Sequence, residues 1–283
     1  MKQSIKILAL IIGIIVLYAC AKTPFTNRTH AKWIPDAQIN AMSFQQYDEF
    51  LQQANTINSG PQVDMVKRVG ARIQKAAEVY YKANGLEDQW ANFDWEFNVV
   101  KNDTTVNAFC MPGGKVVFYT GILPIAQDDD GLAVVMGHEV AHALAHHGNE
   151  RMSQTMGLQG ALQALNLAVA AGQGAPQSQE EAARNEQTRQ MIMAVAGAGA
   201  QVGVLLPFGR KHESEADKIG LYLMAIAGYD LNAASPFWDR MAAGGGARPP
   251  EFLSTHPSPE TRAANLKAWI PEAREIAKQY PMK

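Results

Sequence analysis

Residues 137–151 read GHEVAHALAHHGNER, so His138, His142, His146 and His147 share ten positions with a single acid, Glu139. The first five residues of that set fit the pattern H-E-x-x-H. On an α-helix, positions four apart differ by about 40° around the axis, which puts the His138 and His142 imidazoles on one face, a turn apart; Glu139 stands about 100° round from His138. Two imidazole nitrogens so placed bind one zinc ion at about 2.0–2.1 Å and leave a position open for water. Zinc acidifies such a water, and Glu139 is placed to take its proton as it attacks a peptide carbonyl. The apolar run LAVVMG before the motif buries the helix, where imidazoles need a partner that bulk water cannot provide.

A third ligand must come from elsewhere. A metzincin carries it six residues after the second histidine, but that position here is Gly148, and the glycine expected between them is replaced by Ala145, so that class is excluded. His146 continues the stripe of His138 and His142, yet a third successive turn cannot reach back to the same ion; it reads as outer-shell or solvent-facing, and His147 as surface. The segment KHESEAD, residues 211–217, offers acids instead. Glu213 and Asp217 are four apart and share a helix face, so one can bind metal while the other accepts a hydrogen bond from a ligating imidazole; Glu215, about 200° away from Glu213, stays a rival on spacing alone.

GHEVAH, then ESEAD some seventy residues on, then THPSPETR, resembles the CaaX-prenyl-protease-like family of gluzincin metallopeptidases. The likeness covers roughly residues 60–270 and is greatest to the exported, soluble-domain branch, which includes periplasmic assembly-enhancing proteases and the mitochondrial inner-membrane stress protease. The resemblance implies one Zn2+ per chain held by His138, His142 and Glu213, which settles the choice against Glu215, with Asp217 behind a ligand. It also implies catalytic roles for His256 and Arg262, at the metal or at the oxyanion of the tetrahedral intermediate. Residues 107–115 are similar to the segment beside the active-site helix, where an edge strand can pair with an extended substrate. The family's membrane-embedded members have multiple spans that this chain lacks, so prenylated substrates do not carry over. Cys110 lies in an apolar setting without a basic partner nearby and is not expected to be a nucleophile.

These groups need a scaffold. Apolar residues at helical spacing predict helices over 39–54 and 63–83; alternation with aromatic and β-branched residues predicts strands at 95–100 and 115–120; from Gly131 onward helices dominate. The fold class is α+β, a mostly helical zincin-type domain with a small sheet beside the H-E-x-x-H helix. Residues 191–208, an uncharged 18-mer rich in Ala and Gly, are expected as a closely packed internal helix against that motif. Segment 171–210 is a candidate lid.

At the N-terminus, Lys2 and Lys6 precede the 12-residue apolar run Ile7 to Tyr18, then Ala19-Cys20. This reads as a lipoprotein signal peptide over 1–19, with Cys20 lipidated; 20–60 then form a tether and first helix, and 61–283 the peptidase domain. A bacterial envelope location follows, at the periplasmic face of the outer membrane, with a lipid anchor to the membrane. The net charge of −2, spread without a basic stripe, excludes nucleic acid as a partner. The expected activity is endoproteolysis of unfolded or misassembled envelope polypeptides. The alternative is a zinc-bearing chaperone or scaffold whose site is closed; a non-peptidase hydrolase is a weaker third reading.

Overall fold

The computed structural model describes residues 20–243, 252, 256 and 262–282. The signal-peptide expectation for 1–19 lies outside the described residues. The helices that matter for the site are α1 (Asp36–Gln53), α2 (Pro61–Ala83), α3 (Asp129–Leu144), α4 (His147–Gln173), α5 (Gln179–Ala200), α6 (Leu206–Ala227), α7 (Ala234–Ala243) and α8 (Arg262–Gln279). Six strands accompany them: β1 (Cys20–Lys22), β2 (Thr29–Ala31), β3 (Thr56–Ile57), β4 (Glu96–Val100), β5 (Ala108–Met111) and β6 (Lys115–Tyr119). The α+β expectation holds, and the larger sheet runs β3-β4-β6-β5, parallel only between β4 and β6.

Helix α3 is the centre of the core. It starts at an Asp128 N-cap that accepts from the Gly131 amide at 2.8 Å, with Asp129 and Asp130 in the first turn facing the positive end of the helix dipole. From Gly131 to Leu144 every residue is buried, against α2, α6 and β5. Its crossing with α6 is a backbone contact: a methyl added at Gly137 would stand 2.9 Å from the Gly220 carbonyl, and one at Gly220 2.9 Å from the His138 amide. This close approach is what lets a ligand on α6 meet a ligand on α3 across the helix pair. Strand β5 closes one edge of the sheet beside α3, with the Phe109 and Met111 side pairing to β6 and the Cys110 amide turned outward.

Two expectations are corrected by the packing. Residues 20–34 do not behave as a loose tether: β1 and β2 pair, Thr23 and His30 are buried, and Arg28 is tied by two carboxylates to the helical body. Residues 191–208 are not an internal helix. Helix α5 buries none of its residues, and Val195 is 69% exposed; α5 lies along α4 in a long antiparallel hairpin that runs through a π-helical stretch, Gln201–Leu205, into α6. Ala- and Gly-rich sequence suits close packing, but among the described residues only α4 packs along α5.

Candidate metal centre and active site

One donor atom from each of His138, His142, Glu213 and His256 lies within 4.8 Å of the others. His138 Nε2 is 3.1 Å from His142 Nε2 and 3.2 Å from Glu213 Oε2, and His142 Nε2 is 3.5 Å from Glu213 Oε1. Tetrahedral zinc with bonds near 2.05 Å separates its ligand atoms by about 3.3 Å, so these spacings fit the ion. Sequence-expected ligands from two helices thus meet at one point, with all three side chains buried.

The tautomers can be worked out from the outer contacts. His138 Nδ1 lies 2.9 Å from Asp217 Oδ1 and 2.8 Å from Arg262 Nη2, which itself donates to Asp217; with the carboxylate accepting from both, the proton sits on Nδ1 and the lone pair on Nε2. His142 Nδ1 lies 2.9 Å from His147 Nδ1, and His147 Nε2 lies 3.0 Å from Glu215 Oε2. A carboxylate accepts only, so His147 donates from Nε2, accepts at Nδ1 from His142, and leaves a lone pair on His142 Nε2 as well. With both Nδ1 protons directed outward, two Nε2 lone pairs and the Glu213 carboxylate are free to converge on one ion. That arrangement is repulsive unless a cation sits among them, which is the physical test of the site that the residues pass.

Without an ion, a proton on His138 supplies the positive charge instead. Burial and the Arg262 guanidinium push the His138 imidazole down, yet the Asp217 and Glu213 carboxylates outweigh them and hold it at about 9. Burial opposes ionisation of Glu213, but His142, His138 and His256 hold its carboxyl far below the usual carboxylate range. The pocket is thus built to keep its anion charged and to attract positive charge. Glu139 is different: burial raises its carboxyl above the ordinary value, against His256 and His138. Its Oε2 accepts from the Cys110 amide at 3.2 Å, while Oε1 is buried and has no hydrogen-bond partner among the described residues. A basic oxygen is left facing the reaction space.

His256 sits over the ligand set, with Nδ1 3.1 Å from Glu213 Oε2 and Nε2 3.6 Å from Glu139 Oε1. Arg262 departs from the expectation of an oxyanion donor. It is buried behind His138, donates to Asp217, stacks on Trp238 with its guanidinium carbon 3.4 Å from the ring centroid, and does not line the cavity. It braces the carboxylate that orients His138. Cys110 is no nucleophile: burial and Glu139 push its thiol well above the ordinary value.

His147, expected at the surface, is fully buried. The helix breaks at His146, whose φ of 55° is left-handed; this turns the His147 ring back beneath His142 instead of letting it continue around α3. His146 is half-buried with its ring 3.7 Å from Asp36. Beyond His147 the network runs to the N-terminal segment. Glu215 also accepts from Thr26 and from Arg28 Nε at 2.6 Å, and Arg28 forks onto Glu150 at 2.9 and 2.7 Å. Burial raises Glu215, but His147, Thr26 and Arg28 bring it to about 2, so it stays charged as the end of the relay. His147→Phe fills the same space without accepting a proton from His142, and zinc affinity is expected to fall roughly 10–100-fold, as for outer-shell partners generally. Competition with a chromophoric chelator measures this, and unchanged affinity would assign His147 a packing role alone.

A cavity of about 300 Å³ opens on this centre, lined among others by Phe109, Cys110, Glu139, His142, Arg151 and His256. None of the described residues of 171–210 lines it, so that segment is not its lid.

Comparison with known proteins agrees with the geometry. The profile of peptidase family M48 matches residues 67–270. Mitochondrial metalloendopeptidase OMA1 of Saccharomyces cerevisiae is 31% identical over 295 residues, spanning 98% of this chain and 78% of that protein. Its namesake in Schizosaccharomyces pombe is 38% identical over 186 residues, 65% of this chain, which spans about half (49%) of that relative. The beta-barrel assembly-enhancing protease of Escherichia coli is 29% identical over 194 residues, 65% of this chain and 36% of that protein. These relatives overturn the bacterial-envelope placement. The relatives from both yeasts, Arabidopsis thaliana and Homo sapiens are named as mitochondrial. Two lysines before an apolar run report affinity for some membrane and do not say which one, so the N-terminal pattern could not make that distinction.

Proposed function

The chain belongs to peptidase family M48 and is a zinc metalloendopeptidase, and from that premise we propose that it hydrolyses peptide bonds in unfolded or misassembled polypeptides. The observation that supports the site assignment is the convergence of His138 Nε2, His142 Nε2 and the Glu213 carboxylate at the spacing of ligands around one ion. In this reading His138, His142 and Glu213 hold the ion. Zinc supplies Lewis acidity there, polarising a carbonyl and acidifying water.

The protein's own groups do the rest. Glu139 takes the proton from the attacking water and hands it to the departing amide nitrogen, a task for which a carboxyl raised by burial is suited. The outward backbone of β5 at Cys110 aligns an extended substrate as an added strand, which tolerates many side chains and so suits unfolded targets. His256 covers the ion before substrate arrives and then donates to the developing oxyanion, while Asp217 and Arg262 hold His138 in register.

We assign the catalytic domain to 61–283 and read 1–19 as a cleaved leader, with acylation of Cys20 as the route to a membrane; the intact mass of the mature chain tests that modification. Casein cleavage that is lost on chelation and restored by stoichiometric zinc tests the activity. No cleavage by the zinc-loaded protein would overturn it. The position of His256 over the ligands also supports the second reading, a closed scaffold. The variant His256→Ala separates the two: an oxyanion donor removed costs roughly 10²–10³ in kcat, whereas a latent site would gain cleavage.

A further inference from the structure

The α4–α5 hairpin is the largest part of the molecule that the catalytic arrangement does not use, and we propose that its apolar band enters a lipid bilayer. Residues 152–173 of α4 carry no charge, and neither do residues 190–209, from the middle of α5 into α6. The second stretch is 20 residues long, about 30 Å of helix, which matches the hydrocarbon thickness of a bilayer. Its window of highest hydropathy has none of its residues buried in the fold.

The exposed apolar side chains fall in one band. Gln173 donates to the Asn185 carbonyl at 2.8 Å, which fixes an antiparallel register and sets 152–167 beside roughly 191–206. Met156, Leu165 and Leu167 on one helix and Met191, Val195 and Val204 on the other are all exposed there. The charges of the hairpin, Glu180 to Arg189, lie past the band toward the tip, and Arg151, Arg210 and Lys211 are exposed at its base. Apolar stretches bounded at both ends by charge fit a slab of fixed thickness, and α5 spends its half-buried stripe on α4 while the rest of its circumference is exposed. Helix α4 bears the amides Gln154, Gln159, Gln163 and Asn166, so α5 makes the deeper contact.

The base of the hairpin agrees. Strand β2, paired with the strand that begins at Cys20, packs on α4: the Trp33 amide donates to Ser153 Oγ at 3.0 Å, and its ring, 47% exposed, lies on Gly157. The base of the hairpin thus carries a half-exposed Trp of the kind that marks a membrane interface.

Arg151 both lines the catalytic cavity and precedes the uncharged stretch. Insertion would hold the metal centre within a few turns of the headgroups, which selects polypeptide segments at the membrane surface as substrates. That consequence rests on the peptidase reading; the membrane contact does not.

The test is photo-crosslinking of the full-length wild-type chain in phosphatidylcholine vesicles that contain a diazirine-bearing acyl chain, mapped by mass spectrometry. Adducts within 191–206, lost in Met191→Glu/Val195→Glu while casein cleavage is unchanged, are expected. Adducts confined to residues 1–20, or crosslinks between hairpins of two copies in place of lipid adducts, would overturn the proposal. Lipid adducts on a chain that cleaves nothing would leave the membrane contact standing and remove the peptidase reading.

Discussion

Glu139→Gln is expected to lower kcat for peptide hydrolysis by roughly 10²–10⁴-fold with zinc still bound at one per chain. The amide has the shape of the carboxylate and can keep the Cys110 amide hydrogen bond, so the strand edge beside the centre stays in place. It cannot accept a proton. The three ligand atoms belong to other residues and are unaffected, which is why metal content and activity separate in this variant. KM should change little, because the substrate backbone is aligned by β5 and not by Glu139. Metal analysis together with steady-state kinetics on an unfolded substrate measures both halves. Activity within a few-fold of wild type would remove Glu139 from the mechanism, and loss of zinc would make it a ligand.

The parts of the site that were legible in the sequence are those set by a local period. His138, Glu139 and His142 follow from a single helix of 3.6 residues per turn, whose geometry needs no tertiary information. Glu213 does not: spacing leaves Glu213 and Glu215 open, and family resemblance made the choice. The chain could not announce Gly137 and Gly220 as a pair, although their contact sets the distance between the two ligand helices. His147 was misjudged because the helix was assumed to continue. On an unbroken helix it would point about 140° away from His142. Gly148 and Asn149 fall inside the first turn of α4, so the turn at Ala145-His146 carries no Gly or Pro to mark it. Arg28 was hidden for another reason: its partners Glu150 and Glu215 are 122 and 187 positions away, and no local pattern reports such pairings. The hairpin was misread because uncharged Ala- and Gly-rich helices suit protein and lipid surroundings alike.

The two glutamates of KHESEAD supply a contrast that tests the whole arrangement. Glu213→Gln is expected to lower zinc affinity by more than the roughly 10–100-fold attributable to an outer partner, since it deletes a first-sphere anion and leaves two neutral imidazoles facing the ion. Cleavage is lost with the metal. The apo fold should hold, because a carboxylate whose charge burial opposes is replaced by a neutral group. Glu215→Gln has the opposite signature. It stands on the other side of α6, where Arg28, Thr26 and His147 converge on it, so the cost falls on stability: about 1–3 kcal/mol for leaving charged donors short of an acceptor. Zinc stays bound, weakened only through His147. Thermal melts with and without chelator, set beside zinc titrations, distinguish the two. A Glu215→Gln protein that binds no zinc while Glu213→Gln binds it normally would exchange their roles, and with them the face of α6 that meets the catalytic helix.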